Sequence, residues 1–143
     1  TTEIYTLSLH DALPIYLRLD SVIRMDDGEV LDAEVLKNEP VAAFCGIAKP
    51  EGFKQILLDS QIQLKFFKAF PDHHSYTLQV VKELEARAVK AGARFLLVPE
   101  KDAVKLKGMK FSLPVLKVVI ELEILEGRET FNALLIKKAL NNL

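Results

Sequence analysis

The sequence predicts an α/β fold: a three-layer, Rossmann-like domain with a mainly parallel sheet, preceded by a β-hairpin hinge. Two observations support this prediction. Short, continuously apolar runs, typical of strands buried on both faces, alternate with longer segments whose apolar residues recur at helical spacing. The order strand, helix, strand, helix, strand is the one from which right-handed crossovers build a parallel sheet.

The hairpin is predicted by the stretch "RLDSVIRMDDGEVLDAEVL", in which β-branched residues lie on either side of Asp27-Gly28. Glycine accepts the positive φ of a tight turn, so this dipeptide is a strong hairpin signal. Pro40 then disfavours helix at the residue before it. We expect residues 16–36 to form a hairpin hinge or linker and residues 37–143 to form a C-terminal α/β domain.

The α/β part begins with the apolar run "VAAFCGI", which is typical of a buried strand. Pro50 suits the first position of a helix whose face carries Phe53, Ile56 and Leu57. The stretch "QLKFFKAF" predicts the next strand.

The clearest predicted helix follows the loop "PDHHSYT", with Ser75 or Thr77 as its cap and Gly92 at its end. Its apolar stripe consists of Leu78, Val81, Leu84, Ala88 and Ala91. Two further strands, "RFLLV" and "VLKVVIELEI", and a final helix, "ETFNALLIKKALNNL", complete the prediction.

The first fifteen residues, Thr1 to Ile15, can be encoded in one frame by a DNA string that looks like a common short-read sequencing adapter. Tyr16 would be the junction codon. We therefore expect residues 1–15 to be a non-native translated adapter and exclude His10 and Asp11 from the candidate sites. The chain would then be a fragment of a longer protein.

The composition favours one folded domain. The chain has 143 residues, half of them apolar, and 19 basic against 20 acidic residues, for a net charge of -1. Without residues 1–15 the net charge becomes +1, and neither value indicates a nucleic-acid binder. Cys45 is the single cysteine, which excludes an internal disulfide. No apolar run approaches the roughly 18 to 20 residues that a membrane span needs.

Three loops are expected to open on one edge of the sheet, because ligands of open α/β sheets bind outside the carboxyl ends of the strands. They contain the stretches "CGIAKPE", "FPDHHSYT" and "VPEKDAVKL". In the second loop, Asp72 could orient His73, which can exchange a proton near neutral pH. The alternative is that Asp72 caps a turn and that His73 and His74 are solvated.

The third loop has two interpretations as well. Lys101 could pair with a phosphate, with Glu100 and Asp102 holding the loop, or all three could form a charged first helical turn. A metal-dependent phosphoesterase would need Asp72, His73, Glu100 and Asp102 to converge. An open cleft at His73 with the hairpin beside it would instead favour a kinase site. No G-x-x-x-x-G-K-[ST] phosphate loop occurs in these residues.

Together, "VAAFCGIAKPEGFKQIL", "AFPDHHSYT", "LLVPEKDAVKL" and "LPVLKVVIELEI" resemble, in this order, the C-terminal half of the tetraacyldisaccharide 4'-kinases, the lipid A 4'-kinases of Gram-negative bacteria. The resemblance covers roughly residues 18–124. The family often has Thr just before its E-K-D segment, where this chain has Val98-Pro99.

The resemblance implies transfer of the ATP γ-phosphate, with Mg²⁺, to the 4'-hydroxyl of a tetraacyldisaccharide 1-phosphate, giving lipid IVA. It implies a peripheral protein on the cytoplasmic face of the inner membrane, with the phosphate loop and the Mg²⁺ ligands in another domain. Asp72 and His73 match the family's catalytic Asp-His pair, in which the His acts with an aspartate of that other domain.

Other loop residues are expected to bind substrate or to organise the loops: His74, Tyr76, Glu100, Lys101 and Asp102. We expect no resident metal site in this chain and, without a phosphate loop, no activity from it alone. The remaining alternatives are an α/β metal-dependent phosphoesterase domain and a non-catalytic ligand-binding α/β module.

Overall fold

A computed structural model describes residues 4–6 and 14–124. Within these ranges the strands form one seven-stranded sheet in the order β1-β2-β7-β6-β4-β5, with β3 paired to β2. The strands are β1 (Ile4–Thr6), β2 (Pro14–Arg24), β3 (Val30–Asp32), β4 (Pro40–Cys45), β5 (Gln63–Ala69), β6 (Phe95–Val98) and β7 (Val115–Ile124). The α-helices are α1 (Pro50–Asp59), α2 (Leu78–Lys90) and α3 (Glu100–Lys105).

The parallel part of the sheet is built on β4, which pairs with β5 on one side and β6 on the other. The chain leaves β4 toward β5 and then crosses back to β6, so right-handed crossovers place α1 on one face and α2 and α3 on the other. The side chains of β4 alternate accordingly. Ala43 packs in the core of the α1 face, and Phe44 packs in the core of the α2 face. The predicted three-layer α/β fold with a mainly parallel sheet is confirmed.

The Asp27-Gly28 hairpin forms, with β2 and β3 antiparallel and Gly28 at a φ of 76°. The antiparallel partner of β2 on its other side is β7, so the hairpin extends the sheet. The short strand β1 and the start of β2 fall in the range that we interpret as adapter. That interpretation, the hinge and the domain boundaries stay predictions.

The predicted helices lie close to their expected positions. Pro50 begins α1, and the Thr77 hydroxyl caps α2 by accepting a hydrogen bond from the Val80 amide at 3.2 Å. The buried stripe of α2 is shorter than predicted, because Leu78 in the first turn is 65% exposed. Among the described residues, no helix is both long and apolar enough to cross a bilayer. The final helix predicted for residues 129–143 lies outside the described residues.

Leu116 tests the central packing, because it lies fully buried on β7 between β2 and β6. We expect Leu116→Ala to lower the free energy of unfolding by about 2 to 5 kcal/mol through lost burial and the cavity left behind. The measurement is urea unfolding followed by circular dichroism. The control, Leu78→Ala, removes the same atoms from an exposed site and should change stability by less than about 0.5 kcal/mol. Equal losses would contradict the assigned core.

Candidate active site

The candidate site lies at the carboxyl edge of the parallel strands, where the loops after β4 and β5 meet the first turn of α3. The backbone itself joins the first two loops: the Phe70 amide donates to the Cys45 carbonyl at 2.7 Å, and the His73 amide donates to the Gly46 carbonyl at 3.3 Å. The expectation that the three loops share one edge is confirmed.

Asp102 lies at the centre of this edge. Among residues 17–122, whose burial the structure describes, it is the one fully buried charged side chain. Its Oδ1 accepts hydrogen bonds from the Gly46 amide at 3.0 Å and from the Tyr76 hydroxyl at 2.7 Å. The predicted helical first turn exists, but the carboxylate points into the protein and connects all three loops.

Gly46 fits this edge because it has no side chain. A Cβ at this position would lie 2.9 Å from the Cβ of His74 and 3.3 Å from Asp102 Oδ1. The first distance is too short for a real contact, so any larger residue would displace the loop that carries the histidines. The close approach of backbone and carboxylate therefore requires glycine here.

Asp72 and His73 form the exposed part of the site. The His73 side chain is 91% exposed, and its Nε2 lies 3.5 Å from Asp72 Oδ2. Asp72 Oδ1 also accepts the His73 amide at 3.0 Å, and His73 has a left-handed φ of 62°. The carboxylate is thus placed to orient the imidazole.

His74 has a different environment from its neighbour. Its ring stacks on Phe70 with centroids 4.1 Å apart and meets the Tyr76 ring edge-on at 4.9 Å. Its Nε2 is buried without a hydrogen-bond partner among the described residues. The alternative in which both histidines are solvated is therefore wrong for His74, because aromatic packing covers the ring.

The charged residues of α3 point in different directions. Glu100 is exposed, and its Oε1 lies 3.9 Å from the Lys117 ammonium. Lys101 is exposed as well. Lys105 donates from Nζ to the His74 carbonyl at 2.9 Å, which ties α3 to the loop after β5.

The geometry required by the phosphoesterase alternative does not occur in the part of the chain that the structure describes. No group of three or more His, Cys, Asp and Glu side chains there is arranged to hold a metal ion.

The hairpin does not lie beside His73. It pairs with β7, three strands away from β5, and its turn adjoins the start of β7, at the opposite edge of the sheet.

Burial also keeps the Cys45 thiol and the Tyr76 hydroxyl in their neutral forms. Removal from water, reinforced by the charge of Asp102, raises the pKa of the Cys45 thiol to about 12. Burial and the hydrogen bond to Asp102 raise the pKa of the Tyr76 hydroxyl as well. Cys45 is therefore a packed thiol at neutral pH, as its apolar strand predicts.

Two contributors to this edge, Gly46 and Lys105, are not predicted by the sequence pattern. A glycine that directly follows a buried strand can signal close backbone approach, but its partner, Asp102, is 56 residues away along the chain. No local pattern distinguishes Lys105 from a solvated lysine.

The fold and the site together define a class: an α/β domain that presents an Asp-supported histidine at the carboxyl edge of its sheet. Comparison with known proteins identifies the family within this class. The family model for tetraacyldisaccharide-1-P 4'-kinase matches residues 5–140. The chain therefore belongs to the tetraacyldisaccharide 4'-kinase family.

Individual relatives agree with this assignment. A tetraacyldisaccharide 4'-kinase of Syntrophus aciditrophicus is 34% identical over 105 residues, covering 73% of this chain and 28% of the relative. The tetraacyldisaccharide 4'-kinase of Desulfotalea psychrophila is 43% identical over 75 residues, which cover 52% of this chain and 22% of the relative. The chain thus spans about a quarter of the length of these curated relatives.

A solved structure supports the fold. The LpxK of Aquifex aeolicus, crystallised as an "apo" form in complex with ATP, matches with a TM-score of 0.55 and 23% sequence identity. The match covers 89% of this chain and 35% of the crystallised chain.

The raised pKa of Cys45 predicts a pH dependence of stability. The folded state binds the thiol proton more tightly than the unfolded chain, in which the pKa is near 9.0. This stabilisation is complete below pH 9.0 and is lost as the pH rises toward 12. Cys45→Ala removes the titrating group, so the wild-type chain should lose more stability, on the order of 2 kcal/mol by about pH 11.

The measurement is a series of urea unfolding curves for both proteins between about pH 8 and pH 11. The Cys45→Ala protein controls for other groups that titrate in this range. Parallel losses of stability in the two proteins would show that the Cys45 thiol has an ordinary pKa.

Proposed function

We propose that the chain is the C-terminal part of a kinase that transfers the γ-phosphate of ATP to the 4'-hydroxyl of a tetraacyldisaccharide 1-phosphate, giving lipid IVA. The observation that carries the proposal is the exposed His73 beside Asp72, at the carboxyl edge of a sheet whose chain belongs to this family.

In this proposal His73 accepts or orients the proton of the sugar hydroxyl. Its imidazole is exposed to an approaching substrate, and Asp72 stabilises the charge that the ring gains with the proton. The family resemblance implies that an aspartate of another domain acts together with His73. Phosphoryl transfer depends mainly on positioning and on charge stabilisation, which suits such a division between domains.

The described residues show no site for ATP or Mg²⁺. The sequence has no phosphate loop, and no metal-binding cluster occurs in the part of the chain that the structure describes. The ATP complex of the Aquifex aeolicus protein supports ATP as the phosphate donor of the whole enzyme. We therefore assign ATP and Mg²⁺ to the remainder of a longer protein, and the chemistry of this chain to His73 and Asp72.

The acylated substrate also supports a location at the cytoplasmic face of the bacterial inner membrane, with peripheral membrane contact by the whole protein.

His74 and Tyr76 are buried or half-buried. We therefore assign them to the support of the His73 loop and not to direct substrate contact.

The first functional prediction concerns the chain by itself. Without a phosphate loop, the purified chain should neither bind ATP tightly nor phosphorylate the lipid precursor. Calorimetry with ATP and transfer of labelled phosphate to the disaccharide test this, with a full-length relative as positive control. Clear turnover by the isolated chain would refute the assignment of ATP to another domain.

The second functional prediction concerns His73 in the full-length protein. His73→Ala should lower kcat by about 100-fold or more, the usual contribution of a general base. The matched control is Lys90→Ala, which removes an exposed side chain from the last turn of α2, away from the site. An unchanged kcat for His73→Ala would show that the histidine is a surface residue without a role in the reaction.

A further inference from the structure

We propose that Asp102 is a positioning residue, whose buried carboxylate fixes the backbone of His73 and so holds the imidazole toward the substrate hydroxyl. The inference rests on the proposed function for its kinetic consequence. Its structural part, the anchoring of the loop, stands on the contacts of Asp102 alone.

The connection from Asp102 to His73 passes through Gly46. The Gly46 amide donates to Asp102 Oδ1 at 3.0 Å, and the Gly46 carbonyl accepts the His73 amide at 3.3 Å. Two hydrogen bonds through one residue therefore join the buried carboxylate to the His73 amide, which the Gly46 carbonyl shares with Asp72 Oδ1 at 3.0 Å. The space beside Gly46 is narrow, because even an added Cβ would collide with the Cβ of His74.

The same helix holds the loop on the other side of His73. The Tyr76 hydroxyl donates to Asp102 Oδ1 at 2.7 Å, and Lys105 donates to the His74 carbonyl at 2.9 Å. The loop is thus fixed before and after the turn that exposes the His73 ring. The loop is attached through Gly46, through Tyr76 and through Lys105. Asp102 accepts the hydrogen bonds of the first two.

The backbone of His73 needs such support. Its φ of 62° lies in the left-handed region, which a residue with a side chain occupies at a cost. Strained backbone of this kind persists where the surrounding contacts fix it. Loss of the Asp102 contacts should let the loop relax and the imidazole take up several orientations.

A carboxylate suits this position because both donors converge on one oxygen. Hydrogen bonds to an ionised acceptor are stronger than those to an amide oxygen. These stronger bonds offset part of the entropy cost of ordering two separate loops. Asn at the same position retains an acceptor of similar shape. Ala retains none.

The kinetic test is a double-mutant cycle in the full-length protein with Asp102→Ala and His73→Ala. If Asp102 acts through His73, Asp102→Ala should lower kcat by about 10-fold or more, with little change in KM for the lipid. In the His73→Ala background the same substitution should change kcat by less than about 2-fold. An equal loss in both backgrounds would overturn the proposal, because it would indicate general destabilisation.

Two milder variants keep the test decisive if Asp102→Ala does not fold. Asp102→Asn should recover part of the lost kcat, and Tyr76→Phe, which removes one donor and keeps the ring, should lower kcat less than Asp102→Ala does. Both effects should vanish in the His73→Ala background. Persistence of either effect without His73 would overturn the positioning role.

Hydrogen exchange in the 143-residue chain separates the anchor from the proposed function. Asp102→Asn and Tyr76→Phe should speed exchange of the Gly46 and His73 amides by about 10-fold or more, while the Leu57 amide in α1 stays unchanged. Faster exchange combined with an unchanged kcat for His73→Ala would support the anchor and reject the reaction role of His73. Unchanged exchange would overturn the inference whatever the kinetics.

Discussion

The arrangement of the carboxyl edge depends on one buried charge, the Asp102 carboxylate. It lies where the strand order reverses, between the ends of β4 and β6, and in open α/β sheets this crevice is the usual position for a ligand. Removing a carboxylate from water costs several kcal/mol unless hydrogen bonds offset it. The Gly46 amide and the Tyr76 hydroxyl supply two such bonds to Oδ1, so the loops that contain them are held around the carboxylate, while the buried Oδ2 has no partner among the described residues.

The exposed polar side chains of this edge include those of the loop after β5. His73 and His74 are neighbours in sequence, yet one ring is 91% exposed while the other stacks on Phe70. The left-handed backbone of His73 makes this difference possible, because it turns the chain sharply between the two side chains. His74 packs against Phe70 and Tyr76 and so secures the loop. His73 is left as the histidine that a substrate can reach.

The sheet and its helices could be predicted because their signals are local. The apolar run of β4 and the stripes of α1 and α2 each lie within a few residues. The burial of Asp102 could not be predicted, because "PEKDAVKL" has the composition of a solvated helical turn. What buries the carboxylate is Gly46, 56 residues earlier, and Tyr76, 26 residues earlier. Helical periodicity likewise could not show that Leu78, the first residue of α2, is 65% exposed.

An exposed general base has to work against water. While His73 is 91% exposed, solvent competes with a substrate hydroxyl for its nitrogen and screens the charge that forms there. Efficient proton transfer in the proposed reaction therefore requires a second surface that covers the imidazole when the substrate is bound. The described residues offer no such cover at the carboxyl edge, because the hairpin extends the sheet at its far side. In the proposed reaction, the described residues would therefore present an oriented histidine, and the exclusion of water would fall to a second surface that closes over it.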